Sequence, residues 1–425
     1  MSYLETIKLI NFIIAVAFFI CYSYQFLYVI IPFIRSNKPH KNIKLHKYAV
    51  LIAARNEKAV ISQLIQSIKN QTYPSELIKI FVVADNCTDN TASRAKAAGA
   101  IVFERFNNQK VGKGYALDFL LDKINKRYPM NTFDGYFVFD ADNLLEENYI
   151  SEMNKAFSCG NRIITSYRNS KNYGSNWVSA GFSLWFLRES QYLNRSRYLL
   201  GTSCAVSGTG FLFHRDIIER TRGWKFFLLT EDIEFTIHHI IEGEKIAYCE
   251  SAVLYDEQPV KFSQSWTQRM RWAKGYIQVF KKYGMKLIKT FFINGSFSCY
   301  DMVMNIMPAI ILSVLSGIIN LGGAIYSLIL GGNIMYLLES VFESILNMYL
   351  MLFLIGCITT ITEWKHIYCS TLKKCLYTFT FPLFMFTYIP ISIVALFTKV
   401  EWKQIHHSES KTLEDVRNVA KQFTA

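Results

Sequence analysis

Two aspartates flank a single alanine, Asp140-Ala141-Asp142, directly after the apolar run GYFVF at 135–139. Carboxylates at i and i+2 beyond a strand can point together where the chain turns, and neighbouring unpaired carboxylates repel, so a divalent cation is their natural neutraliser. Mg2+ or Mn2+ would keep several waters there and bind a diphosphate as well. A second acidic strand end is Asp85, in VVADNCTD. Its carboxylate could accept hydrogen bonds from a base or a ribose; an Asx turn or helix cap is the other reading, and the one that suits Asp89. Lys113 stands between glycines in VGKGYALDF. Flanking glycines let backbone approach a ligand, and the ammonium offers a point charge to phosphate, although the same tripeptide also makes a plain turn. Its spacing is not that of a P-loop, which argues against a Walker-type ATPase.

Thr230-Glu231-Asp232 is expected to open a helix with Thr230 as N-cap; acids in a first turn are ordinary partners of the helix dipole. In Gln268-Arg269-Met270-Arg271-Trp272, positions 268, 271 and 272 fall on one helical face at i, i+3 and i+4. They would present an amide, a guanidinium and an indole together, a set suited to a diphosphate and a sugar ring. The alternative is a basic interfacial helix.

The elements that must position these groups are legible around them. Runs rich in β-branched and aromatic residues at 48–54, 78–84, 100–104 and 135–139 read as buried strands, with helix-period stretches at about 57–70, 88–98 and 113–128 between them. Such alternation implies an α/β domain whose mostly parallel sheet is covered on both faces, with ligands at the carboxyl ends of the strands.

The whole chain has 425 residues, 51% apolar and 19% charged, and a mean hydropathy of +0.15. That value at this length points to membrane segments. The net charge of +13 fits Lys and Arg gathered on a cytoplasmic, lipid-facing side; no recognition helix, aromatic RNA-binding pattern or zinc-finger spacing supports nucleic acid as a partner. The nine cysteines form no CxxC pair, and most, such as Cys21, Cys249 and Cys357, sit in apolar surroundings, as small core residues of a reducing compartment do.

Residues 9–34 carry no charge and are long enough to cross a bilayer. A signal peptide would have a shorter apolar core and a small-residue cleavage site. Arg35, Lys38, Lys41, Lys44 and Lys47 follow, which puts the domain after them in the cytosol and the N-terminus outside. Residues 263–296 interleave Lys274, Lys281, Lys282, Lys286 and Lys289 with Tyr276, Val279, Phe280, Leu287, Phe291 and Phe292, the pattern of amphipathic helices lying on a membrane face. Three further stretches that can span lie near 302–330, 334–361 and 376–398. Three spans would leave the tail outside, unless the segment around Pro382 and Pro390 is re-entrant or 302–330 folds as a hairpin. Glu339 and Glu343 share a face of the second stretch, either toward a bundle interior or at the headgroups. The expected organisation is an anchor and basic linker (1–47), a catalytic domain (48–262), interfacial helices (263–300), membrane segments (301–398) and a polar tail (399–425).

Asp85, Lys113, Asp140-Ala141-Asp142, Thr230-Glu231-Asp232 and the QRMRW run, in this order between membrane segments, resemble family 2 glycosyltransferases with a GT-A catalytic domain. In layout the chain is similar to hyaluronan, cellulose, chitin and poly-N-acetylglucosamine synthases. The resemblance covers about residues 48–275; Glu401-Trp402 and the tail through His406 add a weaker echo. It implies that Ala53, Ala54, Arg55, Asn56, Glu57 and Asp85 contact the uridine and that Lys113 and Asp140 seat the diphosphate and sugar. Asp142, with Asp140, would hold Mg2+ or Mn2+, and Asp232, with Glu231 beside it, would be the general base. Gln268, Arg271 and Trp272 would hold the diphosphate and acceptor end, while Ser207-Gly208-Thr209-Gly210, through Gly208 and Thr209, would line the acceptor site. One displacement with one base predicts inversion, giving a β-linked product from an α-linked UDP-sugar.

The leading expectation is a processive polysaccharide synthase in a bacterial plasma membrane, catalytic domain cytosolic, with a UDP-sugar donor, surrounding lipids and export or accessory subunits as partners. The alternative adds one or a few sugars to a membrane lipid, as in the layout of glucosylceramide synthase. A scaffold or transporter that kept a GT-A-like domain is a third class, against which the intact motifs argue. The chain departs from several larger synthases in having one N-terminal span where they have two, and in lacking an obvious regulatory domain.

Overall fold

The computed structural model describes residues 3–36, 43–129, 131–329, 334–405, 407 and 410–424; Lys38, Lys41 and His406 lie outside the described residues. Two helices, α1 (Tyr3–Tyr22) and α2 (Tyr24–Ile34), form one apolar stretch broken at Ser23. The α/β part then begins with β1 (Tyr48–Ala54), α3 (Ile61–Lys69), β2 (Ile78–Asp85), α4 (Thr91–Ala97), β3 (Ile101–Arg105), α5 (Lys113–Arg127) and β4 (Gly135–Asp140). These strands are near-continuous apolar runs because both faces are covered. On one face Leu51 and Val83 meet Leu117, Leu120 and Leu121 of α5; on the other Val50 and Ile52 meet Leu64 and Ile65 of α3.

Beyond β4 the chain supplies β5 (Leu144–Leu145), α6 (Tyr149–Ser158), β6 (Ile163–Ser170), α7 (Trp177–Arg188), a π-helical segment (Glu189–Asn194), α8 (Arg195–Leu200), β7 (Phe211–His214), α9 (Arg215–Thr221), α10 (Glu231–Ile241) and β8 (Ile246–Asp256). The sheet has eight strands in the order β3-β2-β1-β4-β7-β6-β8-β5. Its β3-β2-β1-β4 half is parallel, whereas β7 runs antiparallel to both β4 and β6 and β5 antiparallel to β8. The sheet is therefore mixed, where the sequence pattern implied a mostly parallel one. Short β7 reverses direction between two longer strands, and pairing order leaves no periodic trace in sequence.

The 33-residue helix α11 (Phe262–Asn294) replaces the expected set of interfacial helices. Arg269, Ala273, Val279 and Leu287 are buried on it, Lys282 pairs with Glu234 at 2.6 Å, and Lys274 Nζ donates to the Ala395 carbonyl at 2.9 Å. Its basic residues thus serve the protein as well as any lipid surface. Then come α12 (Phe297–Ile306), α13 (Pro308–Ile329), α14 (Ile334–Thr362), α15 (Thr371–Phe386), α16 (Tyr388–Phe397) and α17 (Leu413–Thr424). Three stretches among the described residues are long and apolar enough to cross a membrane: Leu9–Ile34, Val341–Thr362 and Thr371–Phe397. The proline-containing segment is α15 and α16 of the last of these, interrupted at Thr387. Glu339 and Glu343 are exposed on α14 rather than turned into a bundle.

Candidate active site

The parallel half of the sheet delivers the first groups. Ala53 on central β1 pairs with Val83 of β2 and Asp140 of β4, so the segments after Ala54, Asp85 and Asp140 crowd together where such sheets leave a crevice. Asp85 is 5% exposed and forms a close ion pair with Arg105 at the end of β3; Arg105 Nη2 also donates to the Lys110 carbonyl at 2.6 Å. Sequence reading had offered Asp85 to a base or ribose alone, without this guanidinium. Asp89 closes the turn before α4 by accepting from the Thr91 N–H at 3.0 Å.

Lys113 opens α5. Its ammonium forms a close pair with Asp140 and donates to the Gly208 carbonyl at 2.6 Å. A Cβ at Gly208 would stand 3.8 Å from Asp232 Oδ2, so Lys113, Asp140, Gly208 and Asp232 surround one point. The glycines beside Lys113 do different things. Gly112 has φ +135° with open space around it, a conformation other residues rarely adopt. A Cβ at Gly114 would lie 2.0 Å from the Phe226 carbonyl oxygen; this glycine admits protein backbone, not the ligand inferred from sequence.

Burial would lower the Lys113 ammonium, yet Asp140, Glu231 and Asp232 together hold it above its usual range. Burial and the adjacent Asp232 carboxylate push Glu231 up to about 7, against Lys113 and Arg271. Burial likewise raises Asp232, against the Ile233 N–H and Lys113. Thr230 occupies the N-cap position of α10 but its side chain makes no capping bond. The hydroxyl is instead turned against Gly275 of α11, where a Cβ would come within 2.5 Å of it. That contact brings the QRMRW turn up to the acidic one.

Asp142 is 4% exposed and accepts from the Glu257 N–H at 2.8 Å. Burial would raise its carboxyl, but His407, Lys171 and Arg168 hold it below the usual carboxylate range. Behind Asp140, Thr209 is 3% exposed, accepts from the Asp140 N–H at 2.9 Å and donates to Asn143. Thr209 therefore braces the strand end, where the resemblance had put it on the acceptor; its hydroxyl is buried between the Asp140 N–H and Asn143.

On α11, Gln268, Arg271 and Trp272 face the same space. Gln268 Oε1 and Arg271 Nε are buried without a hydrogen-bond partner, and the Trp272 ring packs edge-on against Phe182 and Phe186 at 5.6 and 6.1 Å. Arg269 points the other way: fully buried, it donates to the Phe384 carbonyl at 3.1 Å and to Thr387 at 2.6 Å, tying α11 to the break between α15 and α16.

A single cavity of about 940 Å3 is lined by Ala53, Arg55, Glu57, Asp85, Lys113, Asp140, Asp142, Gly208, Glu231, Asp232, Gln268, Arg271 and Trp272. Of the residues to which the resemblance gave a role, Asn56, Thr209 and Gly210 are not in its wall. The cavity continues between apolar faces that include Phe18, Phe19 and Phe26 of α1 and α2, Met351 and Ile355 of α14, and Ile389 and Ile393 of α16. Sequence reading missed several other wall residues. Glu189 accepts from the Ser207 hydroxyl; Arg168 binds Asp256 at 2.6 Å and the Ser207 carbonyl at 2.9 Å. Glu189 lies in the π-helical segment, a deviation common at functional sites but silent in residue pattern. The tail also enters. Trp402 stacks on the Arg55 guanidinium at 5.0 Å, Gln404 donates to the Arg55 carbonyl at 2.8 Å, and His407 binds Glu57.

The sequence model of the family described as "Glycosyltransferase like family 2" matches residues 46–275. A beta-monoglucosyldiacylglycerol synthase of Nostoc sp. (strain PCC 7120) is 26% identical over 276 residues, covering 62% of this chain and 56% of that protein. A poly-beta-1,6-N-acetyl-D-glucosamine synthase of Staphylococcus aureus is 23% identical over 267 residues, covering 60% of this chain and 61% of that protein. The chain thus spans under two thirds of the length of these relatives. Among solved structures, the mannosyltransferase PcManGT from Pyrobaculum calidifontis, in complex with GDP-Man and Mn2+, matches with a TM-score of 0.56 at 15% identity, covering 90% of this chain and 98% of that one. That likeness is one of fold.

Proposed function

The chain belongs to glycosyltransferase-like family 2, and from that premise we propose that it transfers a hexosyl group from a UDP-sugar, with inversion, to the growing end of a β-linked polysaccharide at the cytosolic face of the plasma membrane. One observation carries this reading: the carboxylates, Lys113 and Arg271 share a cavity with the apolar faces of the membrane helices, so donor chemistry and a membrane-held acceptor can meet. Export or accessory subunits would receive the product.

In the proposed reaction Asp232 takes the proton of the acceptor hydroxyl. Its raised pKa, caused by burial, makes it a stronger base than a solvated carboxylate. Lys113 and Arg271 neutralise the departing diphosphate. Arg271 Nε and Gln268 Oε1, orphaned in the free chain, gain partners when the donor binds. Trp272 offers a face to the sugar.

The residues present also suit a divalent cation. Asp142 would be its principal ligand, since Asp140 is already engaged by Lys113. No three His, Cys, Asp or Glu side chains converge to hold an ion among the described residues. That matches Mg2+ or Mn2+, which accept few protein ligands when diphosphate and water complete the shell. When bound, the ion supplies further charge stabilisation to the leaving group.

A second reading, transfer to a lipid acceptor, is favoured by the aliphatic and phenylalanine lining of the helix end of the cavity; the Nostoc relative is named for such a reaction. Incubating purified protein with UDP-glucose, UDP-N-acetylglucosamine, UDP-glucuronate or UDP-galactose and Mg2+ or Mn2+ tests both. UDP release with a high-molecular-weight product supports the polymer reading. A product extracted into organic solvent supports the lipid reading, and no UDP release from any donor overturns both.

A further inference from the structure

We infer that Glu189 binds a second hydroxyl of the acceptor, so that the group receiving the hexose is itself a sugar, at a polymer end or on a lipid, and not the lone hydroxyl of a glyceride; the inference rests on the glycosyl-transfer reading above and narrows its acceptor. Glu189 begins the π-helical segment after α7 and stands in the cavity wall. One carboxylate oxygen, Oε1, accepts from the Ser207 hydroxyl. The other has no protein donor among the described residues, although two guanidinium groups are close enough to feel its charge. Arg168 is committed to Asp256 at 2.6 Å and to the Ser207 carbonyl at 2.9 Å. Arg188, the preceding residue, donates to Gln25 at 2.9 Å. Burial outweighs Ser207 and Arg168 and raises the Glu189 carboxyl. A buried carboxylate short of donors is costly. One that served only to brace the wall would be met by pairing with Arg168, which the fold gives to Asp256 instead.

One short segment fixes where Glu189 stands relative to the reaction point. Ser207 binds Glu189 through its hydroxyl. The next residue, Gly208, takes Lys113 on its carbonyl at 2.6 Å, and a Cβ there would stand 3.8 Å from Asp232 Oδ2. Glu189 and Asp232 therefore meet the same stretch of cavity at adjacent residues of that segment. An ionised carboxylate only accepts hydrogen bonds, and a sugar presents several hydroxyls that donate them. Asp232 takes the hydroxyl that reacts; Glu189 takes another on the same ring and so orients it for attack. A diacylglycerol has one hydroxyl. Giving it to Asp232 would leave Glu189 against ester and hydrocarbon with nothing to accept. Sites built around a buried polar group reject ligands that leave that group unpaired, so Glu189 selects the acceptor as well as orienting it.

The test uses the full chain in phosphatidylcholine nanodiscs with Mn2+ and the four UDP-sugars named above. The acceptor probes are 1,2-dioctanoylglycerol, with one free hydroxyl, and the octyl β-glycosides of glucose, N-acetylglucosamine, glucuronate and galactose. At least one glycoside should be used with a kcat/KM tenfold or more above that of the glyceride. Removing the ring hydroxyls of that glycoside one at a time should reveal one, besides the reacting hydroxyl, whose loss costs about 10- to 100-fold, the range for a hydrogen bond to a charged group. Glu189→Ala should cost a similar factor, carried by the KM for the glycoside and not the KM for the donor, and should erase the penalty for that one deoxy acceptor, since the two changes remove the same contact. Glu189→Gln, which keeps an accepting oxygen, should fall between. A glyceride used as well as every glycoside overturns the inference, and so does a glycoside that loses only its reacting hydroxyl at any cost; both are read on the unaltered protein, whether or not the variants fold. A deoxy penalty that persists in Glu189→Ala overturns it as well. UDP release with the glyceride alone sinks this inference and leaves glycosyl transfer standing, whereas no UDP release from any donor sinks both.

Discussion

At the sheet end of the cavity, ionised groups are held by partners from distant parts of the chain: Asp85 by Arg105, Asp140 by Lys113, Asp142 by the Glu257 N–H. At the helix end the same cavity is walled by Phe19, Phe26 and Met351, which are 64%, 54% and 51% exposed and have no polar group to satisfy. One of the few polar contacts there is Arg188 donating to Gln25 at 2.9 Å. The proposed reaction gives the two ends different tasks. Stabilising charge that develops during reaction demands donors and carboxylates already aimed before the substrate arrives. Receiving a chain-like acceptor demands mainly width and apolar surface. The sheet end should therefore tolerate little change and the helix end a good deal.

The sharpest way to break this contrast is at the base. Asp232→Asn is expected to lower the rate of UDP release by about 10^2- to 10^4-fold while donor binding, followed by calorimetry, changes little. A variant with near-normal turnover would remove Asp232 from the chemistry. Next in size is Gly114→Ala. Its Cβ meets the Phe226 carbonyl at 2.0 Å, and overpacking of this kind costs about 1–3 kcal/mol. Thermal unfolding should record that loss, with reduced activity because Lys113 shifts along with α5.

The acidic pair gives a pH test. Asp232 must be ionised to act and burial raises its carboxyl, so activity should rise with pH above the ordinary carboxylate range. The charge on Asp232 is part of what raises Glu231, so Asp232 ionises first, and Glu231→Gln should leave the acidic limb of the pH–rate profile nearly in place. The stability effect has a definite sign. A carboxyl raised in the fold contributes stability that is fully present below its ordinary 4.5 and lost as pH rises through about 7. Glu231→Gln should therefore lose less stability than the natural chain between those values. A limb moved to lower pH would show instead that Glu231 ionises before Asp232.

The smallest effect belongs to the helix end. Met351→Leu conserves volume, and such swaps cost under about 1.5 kcal/mol; turnover should be nearly unchanged. A collapse of activity from this substitution would mean the apolar wall is as finely positioned as the charged floor, and the contrast between the ends would not hold.

Much of the first half of the sheet is legible in the sequence. Strands at 48–54, 78–84, 100–104 and 135–139 and the helices between them agree with β1 to β4 and α3 to α5 within a residue or a few, because buried strands and amphipathic helices each impose their own apolar period. Of the strands that the sequence pattern does not reveal, β7 has four residues and β5 two, too few for a period to register, whereas β6 and β8, of eight and eleven residues, interrupt their apolar runs with polar ones such as Arg168, Asn169, Glu250 and Ser251. The motif residues share a cavity because several stand at the carboxyl ends of adjacent parallel strands, a consequence of topology once the alternation of elements is recognised. The alternation of basic and apolar residues along 263–296 suggests amphipathic helices on a membrane face, whereas in the thirty-three-residue α11 Lys282 and Lys274 are spent on Glu234 and Ala395.

From sequence alone came the chemistry-bearing types, their chain-local spacing, the family and the apolar stretches, since each is written in residues a few positions apart. Tertiary structure decided what each of those groups touches. Arg105 at Asp85, Phe226 at Gly114, Thr209 behind Asp140 and the tail over Glu57 are all contacts between separated segments; His407 and Glu57 lie 350 residues apart. A periodicity reports only which face of its own element a side chain occupies. Which partner meets that face is settled when the elements pack and buried polar groups must find one another.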